Sequence, residues 1–141
     1  MTPTTPPAGL AIVHSWTLPL PFTRPLSTNQ VMGLHWAKSR RLTQPWRDAA
    51  YWLAIKHKIP KLGRFTVVLH YVPRKPGDAV RDLDNLTATT KPLVDGLVAA
   101  GVCVDDNANR YTPTTPVIHA ASGEPGRLWL TVTDLGNGAT P

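Results

Sequence analysis

Cysteine is nearly absent from this chain of 141 residues, in which Cys103 is the only one. A single cysteine excludes an intrachain disulfide and a zinc cluster built from cysteines. Its neighbours Val102 and Val104 predict a buried thiol in a strand. No apolar run approaches the roughly 20 residues that span a bilayer, and the N-terminus lacks the basic start and sustained apolar stretch of a secretory signal. We therefore expect a cytoplasmic protein with no membrane partner.

Acidic residues are scarce in the first half of the chain. Residues 1–75 hold eleven Lys or Arg and one acid, Asp48, whereas residues 76–141 hold four basic and eight acidic residues, and the formal net charge is +6. A basic half favours a polyanionic partner, because Lys and Arg displace counterions from phosphates whatever the base sequence. Solvated surface charge would give the same composition, so charge alone leaves both interpretations open.

A single domain is expected, because 141 residues bury one real core but hardly two. Thr, Pro, Ala and Gly dominate residues 1–10, which predicts a disordered N-terminal tail. Residues 137–141 predict a loose C-terminal tail of similar composition. We assign residues 11–136 to the folded domain.

Hydrophobic patterning predicts strands in three places. Alternation in "GRFTVVLHYVP" (63–73) and "RLWLTVTDL" (127–135) is typical of half-buried strands, and "AIVHSWTLPLP" (11–21) predicts a first strand that is frayed or at an edge. Helical spacing predicts a helix over residues 36–58. Its proline, Pro45, indicates either a break or a stronger helix that starts there.

Proline and glycine also delimit the second half of the chain. A second helix is expected from about Pro92 to Gly101. An extended piece through Val80 to Asp84 should precede this helix, and a short strand over residues 102–104 should follow it. Strands mixed with two main helices predict a small α/β or α+β domain with a mixed sheet.

Five aspartates gather within "VRDLDNLTATTKPLVDGLVAAGVCVDDNA", residues 80–108. In an extended segment, side chains two apart point the same way, so Asp82 and Asp84 should share a face within about 7 Å, with Leu83 directed into the core. Close carboxylates repel unless a cation or an Arg compensates. Magnesium is the natural compensator, because it binds carboxylate oxygen, water and substrate phosphate. Asp106 would supply a third carboxylate after the helix and the return strand.

A D-x-D pair alone is weakly specific. Surface turns and helix starts often contain Asp, and an Asp84 that only caps a helical turn at Asn85 is the plainer alternative.

The ordered pieces "RDLDNL", "KPLVDGLVAAGV" and "VDD", over residues 81–106, resemble the RusA-type Holliday junction resolvases of phages and prophages. That family's signature is D-x-D-N, then K-x-x-x-D-x-L, then a Gly and paired Asp, and the likeness spans most of residues 15–135. The resemblance implies a homodimeric endodeoxyribonuclease of DNA recombination and repair. Such an enzyme hydrolyses phosphodiesters in branched DNA, the four-way junction above all, with magnesium or, as a substitute, manganese.

By position, the resemblance gives the catalytic residues Asp82, Asp84, Asp106 and Lys91. The three acids would hold the metal, and Lys91 would add positive charge where the transition state becomes more negative. The family lysine lies four residues after the second Asp of D-x-D, where this chain has Ala88, whereas Lys91 lies seven after it. We prefer an insertion of three residues, because the Lys91–Asp95 spacing matches the family. Asp95 would orient Lys91 or simply form a surface ion pair with it.

The basic half supplies candidates to bind phosphates around the acids: Lys38, Arg40, Arg41, Arg74, Lys75 and Arg81. Any one of them can equally be a solvated charge. Four other side chains are interpreted as core or dimer-interface residues rather than base-stacking platforms: Trp36, Trp46, Trp52 and Trp129. His70, within a predicted strand, is interpreted as structural.

Two other classes of function compete with the nuclease. A non-catalytic module that holds branched DNA without cutting it is compatible with the displaced lysine. A D-x-D phosphotransferase or glycosyltransferase is disfavoured, because the chain has no room for a nucleotide domain and no phosphate-binding Gly loop.

Overall fold

The computed structural model describes residues 14–26, 36–103, 111–112 and 114–136. Both predicted tails lie outside these ranges. The elements in chain order are β1 Ser15–Leu20, α1 Trp36–Lys56, β2 Arg64–Val72, α2 Pro76–Arg81, α3 Leu83–Ala99, β3 Tyr111–Thr112, β4 Val117–Ile118 and β5 Arg127–Gly136. None of the helices in the described ranges combines the length and the apolar character that crossing a bilayer requires.

The strands form one mixed sheet, as predicted. Strand β5 pairs antiparallel with β1 on one side and with β2 on the other, while β3 and β4 run parallel to the far edge of β2. All three predicted strands are confirmed, and β1 lies at an edge, where Pro19 interrupts no inner ladder. The sequence did not indicate β3 and β4, because two residues carry no periodicity.

The core lies on one face of the sheet. Alternate side chains of the two long strands are buried there: Phe65, Val67, Leu69, Tyr71, Leu128, Leu130 and Val132. Helices α1 and α3 contribute to the same cluster through residues such as Trp46, Ala50, Leu93 and Leu97. The fold is therefore a small α+β domain with helices packed on a mixed sheet.

Helix α1 confirms the first predicted helix and ends two residues earlier than expected. It neither breaks nor restarts at Pro45, which lies inside it. The ring of Pro45 is exposed, so the carbonyl of Arg41 that loses its helical partner is close to water.

The start of α3 is where the structure differs most from the sequence-based prediction. The predicted extended piece through Val80 to Asp84 is wrong, because α2 and α3 follow one another with only residue 82 between them. The predicted helix start near Pro92 is also wrong, since that proline lies inside α3. Consecutive threonines before Pro92 have low helix propensity. The spacing of the buried Leu86, Thr89 and Leu93 places a stripe of α3 against the core, and that packing decides the conformation.

The end of α3 is predicted well, but the strand after it is not found. Gly101 has φ +91° and ends the helix as a residue in the left-handed region. Val102 and Cys103 form a bend, and residue 104 lies outside the described ranges. Both bend residues are buried, which confirms the buried thiol. The Leu62 N–H donates to the Val102 carbonyl over 2.6 Å and fixes this bend against the entry to β2.

We predict that Gly96→Ala destabilises the protein by about 1–3 kcal/mol, because α1 and α3 cross at this glycine. A Cβ at residue 96 would overlap the carbonyl oxygen of Arg47 and lie 3.0 Å from the Cβ of Ala50. Urea unfolding of the purified variant measures the change.

Gly77→Ala in α2 is the matched control, because nothing lies within 4 Å of a Cβ at that position. It should be neutral or stabilise by roughly 0.5–1 kcal/mol. Equal stability of the two variants would show that the helices cross less closely than described.

Candidate functional site

Asp82 lies between α2 and α3, and its side chain is only 1% exposed. Its Oδ2 accepts a hydrogen bond of 2.9 Å from the Tyr71 hydroxyl. Its Oδ1 accepts from Arg24 Nη2 at 3.0 Å and from Asn85 Nδ2 at 3.3 Å. A buried carboxylate is tolerated only with partners of this kind, and here Arg24 is the compensating cation.

The backbone explains why this carboxylate turns inward. The Asp82 N–H donates to the Asp78 carbonyl at 2.9 Å, and its own carbonyl accepts from the Leu86 N–H at 3.1 Å. Asp82 therefore occupies the N-cap position of α3, but its side chain makes no capping hydrogen bond. Its carboxylate is directed to Tyr71, which β2 places on the core face of the sheet.

The environment of Asp82 fixes the charge states of its partners. Burial, and then the hydrogen bond to Asp82, raise the pKa of Tyr71 to about 12. The hydrogen bond to Asp82 raises the pKa of Arg24, although burial opposes it. At neutral pH, Tyr71 is therefore a neutral donor and Arg24 a cation, and both suit an ionised carboxylate.

Asp84 lies in the first turn of α3 and is exposed. Residues two apart on a helix point about 200° away from each other. The predicted shared face of Asp82 and Asp84 is therefore wrong, because the segment is helical rather than extended. The alternative that Asp84 caps a turn at Asn85 is also not observed, since the N-cap residue is Asp82.

Lys91 lies on the same side of α3 as Asp84. Seven residues make almost two helical turns, so the two side chains leave the helix within about 20° of one direction and about 10 Å apart along its axis. Ala88, where the family lysine was expected, is only about 40° away from Asp84 in direction. The offset of three residues thus moves the lysine along the face of Asp84 and not to another face.

The Lys91 side chain is paired with Asp95. Its Nζ lies 3.1 Å from Asp95 Oδ1, and both side chains are at the surface. The predicted i, i+4 ion pair is confirmed, and a pair of this type holds the lysine in place with little gain in stability.

A groove of about 450 Å³ lies between α3 and the segment of β3 and β4. We call it the Lys91 groove; its lining residues are Thr87, Thr90, Lys91, Val94, Tyr111, Thr114, Thr115 and Pro116. Hydroxyl groups and one ammonium group are suitable donors to phosphate oxygens. Asp105 and Asp106 precede Tyr111 closely in the sequence, but they lie outside the described residues.

The predicted magnesium site consists of Asp82, Asp84 and Asp106, and Asp106 lies outside the described residues. Within ranges 14–26, 36–103, 111–112 and 114–136, no group of three His, Cys, Asp or Glu side chains is arranged to hold a metal ion. Asp82 is 1% exposed, and Arg24 and Tyr71 surround its carboxylate, so an ion could reach its oxygens only if one of these side chains moved. Asp84 does fit, since it is exposed and offers the oxygen ligands that magnesium prefers. Of the three predicted ligands, Asp84 is thus the one that the structure shows to be exposed.

Five of the six predicted phosphate-binding residues lie on α1 or in the turn after β2. Those on the first half of α1 and those in the turn after β2 are all exposed: Lys38, Arg40, Arg41, Arg74 and Lys75. The side chain of Arg81 is not among those described. Arg74 lines a small cleft together with Arg24, Tyr71 and Asp78, next to the carboxylate of Asp82.

Two of the three side chains that donate to Asp82, those of Arg24 and Tyr71, were not predicted from the sequence. Arg24 belongs to a loop 58 residues before Asp82, and no local pattern connects such distant positions. Tyr71 gave a weak signal, because a tyrosine on the core face of a strand needs a partner for its hydroxyl.

The tryptophans do not all have the predicted place. Trp46 is buried, as expected of a core residue, whereas Trp52 is 64% exposed. Of the two predicted places, core and dimer interface, the core is therefore excluded for Trp52. Trp129 is partly buried, and its ring stacks on that of His70 with 5.0 Å between centroids. His70 also bonds to Thr131, which agrees with a structural role. The side chain of Trp36 is not described.

No protein-family model and no curated protein sequence matches this chain. The resemblance to RusA-type resolvases therefore stays a prediction that depends on the order and spacing of the motifs.

We predict that Asp82→Ala destabilises the protein by about 2–4 kcal/mol, because it leaves the buried Tyr71 hydroxyl and Arg24 without their acceptor. Asp84→Ala, in the neighbouring exposed position, should change stability by at most about 0.5 kcal/mol. Urea unfolding at neutral pH compares the two variants. A similar small effect of both would contradict a structural role of the Asp82 carboxylate.

We also predict that stability falls between pH 10 and pH 12 as Tyr71 titrates. Free tyrosine ionises at 10.0, whereas the pKa of Tyr71 in the folded protein is about 12. In this interval the unfolded chain loses a proton that the folded chain keeps, so unfolding becomes more favourable as pH rises. Tyrosinate absorbance against pH should show one late-titrating tyrosine that Tyr71→Phe removes. A titration of the folded protein with all tyrosines near 10 would contradict the burial of this hydroxyl.

Proposed function

We propose that the protein is a magnesium-dependent endodeoxyribonuclease of the RusA type, which cuts phosphodiester bonds in branched DNA. Manganese would serve as a substitute ion, and a cytoplasmic homodimer is the proposed form. The observation that supports this best is the common face of Asp84 and Lys91 beside the Lys91 groove. This common face supports the motif match although the lysine stands three residues later than in the family, because seven residues on a helix make almost two turns.

Asp84 and Asp106 are our proposed metal ligands, and Asp82 has a positioning role. Magnesium is usually held by one or two carboxylates together with substrate phosphate, so the exposed Asp84 and one further acid are sufficient. The chemistry that such an ion supplies is polarisation of the scissile phosphate and activation of a water molecule. Asp82 would act indirectly, because its contacts with Tyr71 and Arg24 fix the N-terminal end of α3, from which Asp84 projects.

Lys91 would bind the phosphate at which cleavage occurs. Its ammonium group is at the surface and paired with Asp95, and a phosphate that enters the Lys91 groove would become an additional partner. The hydroxyl group of Thr87, on the same wall of the groove, would donate to another phosphate oxygen, whereas that of Thr90 already donates to the Leu86 carbonyl. A fixed cation at this point stabilises the negative charge that grows in the transition state.

The exposed basic residues would position the arms of the DNA. Arg74 and Lys75 follow β2 near Asp82, and Lys38, Arg40 and Arg41 lie along α1. Contacts of this kind orient a nucleic acid without reading its sequence. A dimer with two-fold symmetry would present one site to each of two opposed strands of a four-way junction.

A non-catalytic module that binds branched DNA is the second candidate. The burial of Asp82 favours it, because of the two acids in the D-x-D pair only Asp84 is exposed, whereas the resemblance implies that both hold the metal. Binding without cleavage under all divalent-ion conditions would identify this alternative.

We predict that the wild-type protein nicks a synthetic four-way junction with magnesium, and that Asp84→Asn and Lys91→Met each lower the cleavage rate by roughly 100-fold or more. Both residues are exposed, so the variants should unfold at the same urea concentration as the wild type. Glu124→Gln, an exposed acid in the turn before β5, is the matched control and should cleave normally. Cleavage that is unchanged in Asp84→Asn would refute the proposed site.

A further inference from the structure

Helix α1 leaves a tryptophan in solvent. Trp52 is 64% exposed, and Ile55, three residues later, is 46% exposed. A tryptophan has 150–250 Å² to bury and dominates the energetics of cores and interfaces. An exposed indole next to another exposed apolar side chain is therefore a candidate binding surface.

A groove of about 350 Å³ runs past this indole. We call it the Trp52 groove; its lining residues are Arg40, Gln44, Arg47, Asp48, Tyr51, Trp52 and Ala99. All but Ala99 follow the spacing of three and four residues that places side chains on one side of a helix. The ring of Tyr51 meets the indole of Trp52 edge-on, at 4.9 Å and 89°, which orients the indole.

The charge of the Trp52 groove favours a polyanion. Its one acid, Asp48, accepts a hydrogen bond of 2.7 Å from Gln44 Nε2. Neither Arg40 nor Arg47 forms an ion pair with any carboxylate in the described ranges, where the two ion pairs involve other residues.

We propose that the Trp52 groove binds unpaired nucleotides of DNA, with a base stacked on the indole of Trp52 and phosphates bound by Arg40 and Arg47. Aromatic side chains next to cationic ones are the usual combination for single strands, because every base has a flat face. A duplex offers its phosphates but no free base face, so unpaired bases at a branch point are the ligand that uses the whole groove.

The Trp52 groove is separate from the Lys91 groove. Ala99 lines it at the C-terminal end of α3, about 22 Å along the helix axis from Asp84. The inference rests on the proposed function only in that DNA is the ligand, and it does not depend on cleavage.

The test measures binding of the full chain to a labelled single-stranded oligonucleotide by fluorescence anisotropy, without divalent ions so that no cleavage occurs. Trp52→Ala should weaken binding roughly 5- to 150-fold, as expected for the loss of one stacked base. An abasic strand of the same length keeps the phosphates but has no bases, and Trp52→Ala should bind it as the wild type does.

Two further variants separate stacking from charge and from apolar contact. Arg47→Gln should weaken binding to the normal and abasic strands alike and lower the salt slope by roughly 0.7. Leu135→Ala removes exposed apolar area on β5, outside the Trp52 groove, and should leave binding unchanged. Circular dichroism checks that each variant is folded, which the exposure of these side chains leads us to expect.

Unchanged affinity of Trp52→Ala for the normal strand would overturn the inference. A second result would also overturn it: the wild type is a dimer, Trp52→Ala is a monomer, and the two bind DNA with equal affinity. The Trp52 groove would then be a self-association surface. The proposed nuclease function can be contradicted separately. If the wild type binds DNA through Trp52 but cuts no junction, the inference about the Trp52 groove stands and the nuclease proposal is wrong.

Discussion

The structure depends on one buried charge, the carboxylate of Asp82. It connects a loop, a central strand and the third helix, because Arg24, Tyr71 and Asn85 all donate to it. Each of these donors would lose its acceptor if the backbone at residue 82 moved outward, so the junction of α2 and α3 has one favourable arrangement. The first turn of α3 is thereby fixed, and the direction of every side chain on that helix follows from it.

Helical geometry changes what the spacing of the motif means. In an extended chain, Asp82 and Asp84 would act together and an insertion of three residues would displace the lysine. In a helix the opposite holds, because two residues separate side chains by about 200° while seven return them to nearly the same direction. Asp82 and Asp84 thus have different surroundings, one inside and one in water, and Asp84 is grouped with Lys91. Asp82 is thus held by protein groups, whereas Asp84 is accessible to a ligand.

The sequence was sufficient where hydrophobic periodicity was strong. The alternation of apolar residues in β2 and β5 predicted the bounds of both strands to within one residue. Gly101 predicted the end of α3, because its backbone conformation there favours glycine. The sequence was insufficient where tertiary packing overrode the local preference of residues for a helix or a strand. The threonines and Pro92 disfavour a helix on their own, but burial of Leu86 and Leu93 holds the segment helical. The contact between Arg24 and Asp82 could not be predicted for another reason, since contacts between residues far apart in the sequence leave no local pattern.

The central claim is that Asp82 maintains the fold while Asp84 faces the reaction. A crystal structure with manganese, located by its anomalous scattering, tests it most directly. The account predicts an ion bound to the carboxylate of Asp84, with Asp82 still bonded to Tyr71 and Arg24. An ion bound to Asp82, with the guanidinium of Arg24 displaced, would contradict it.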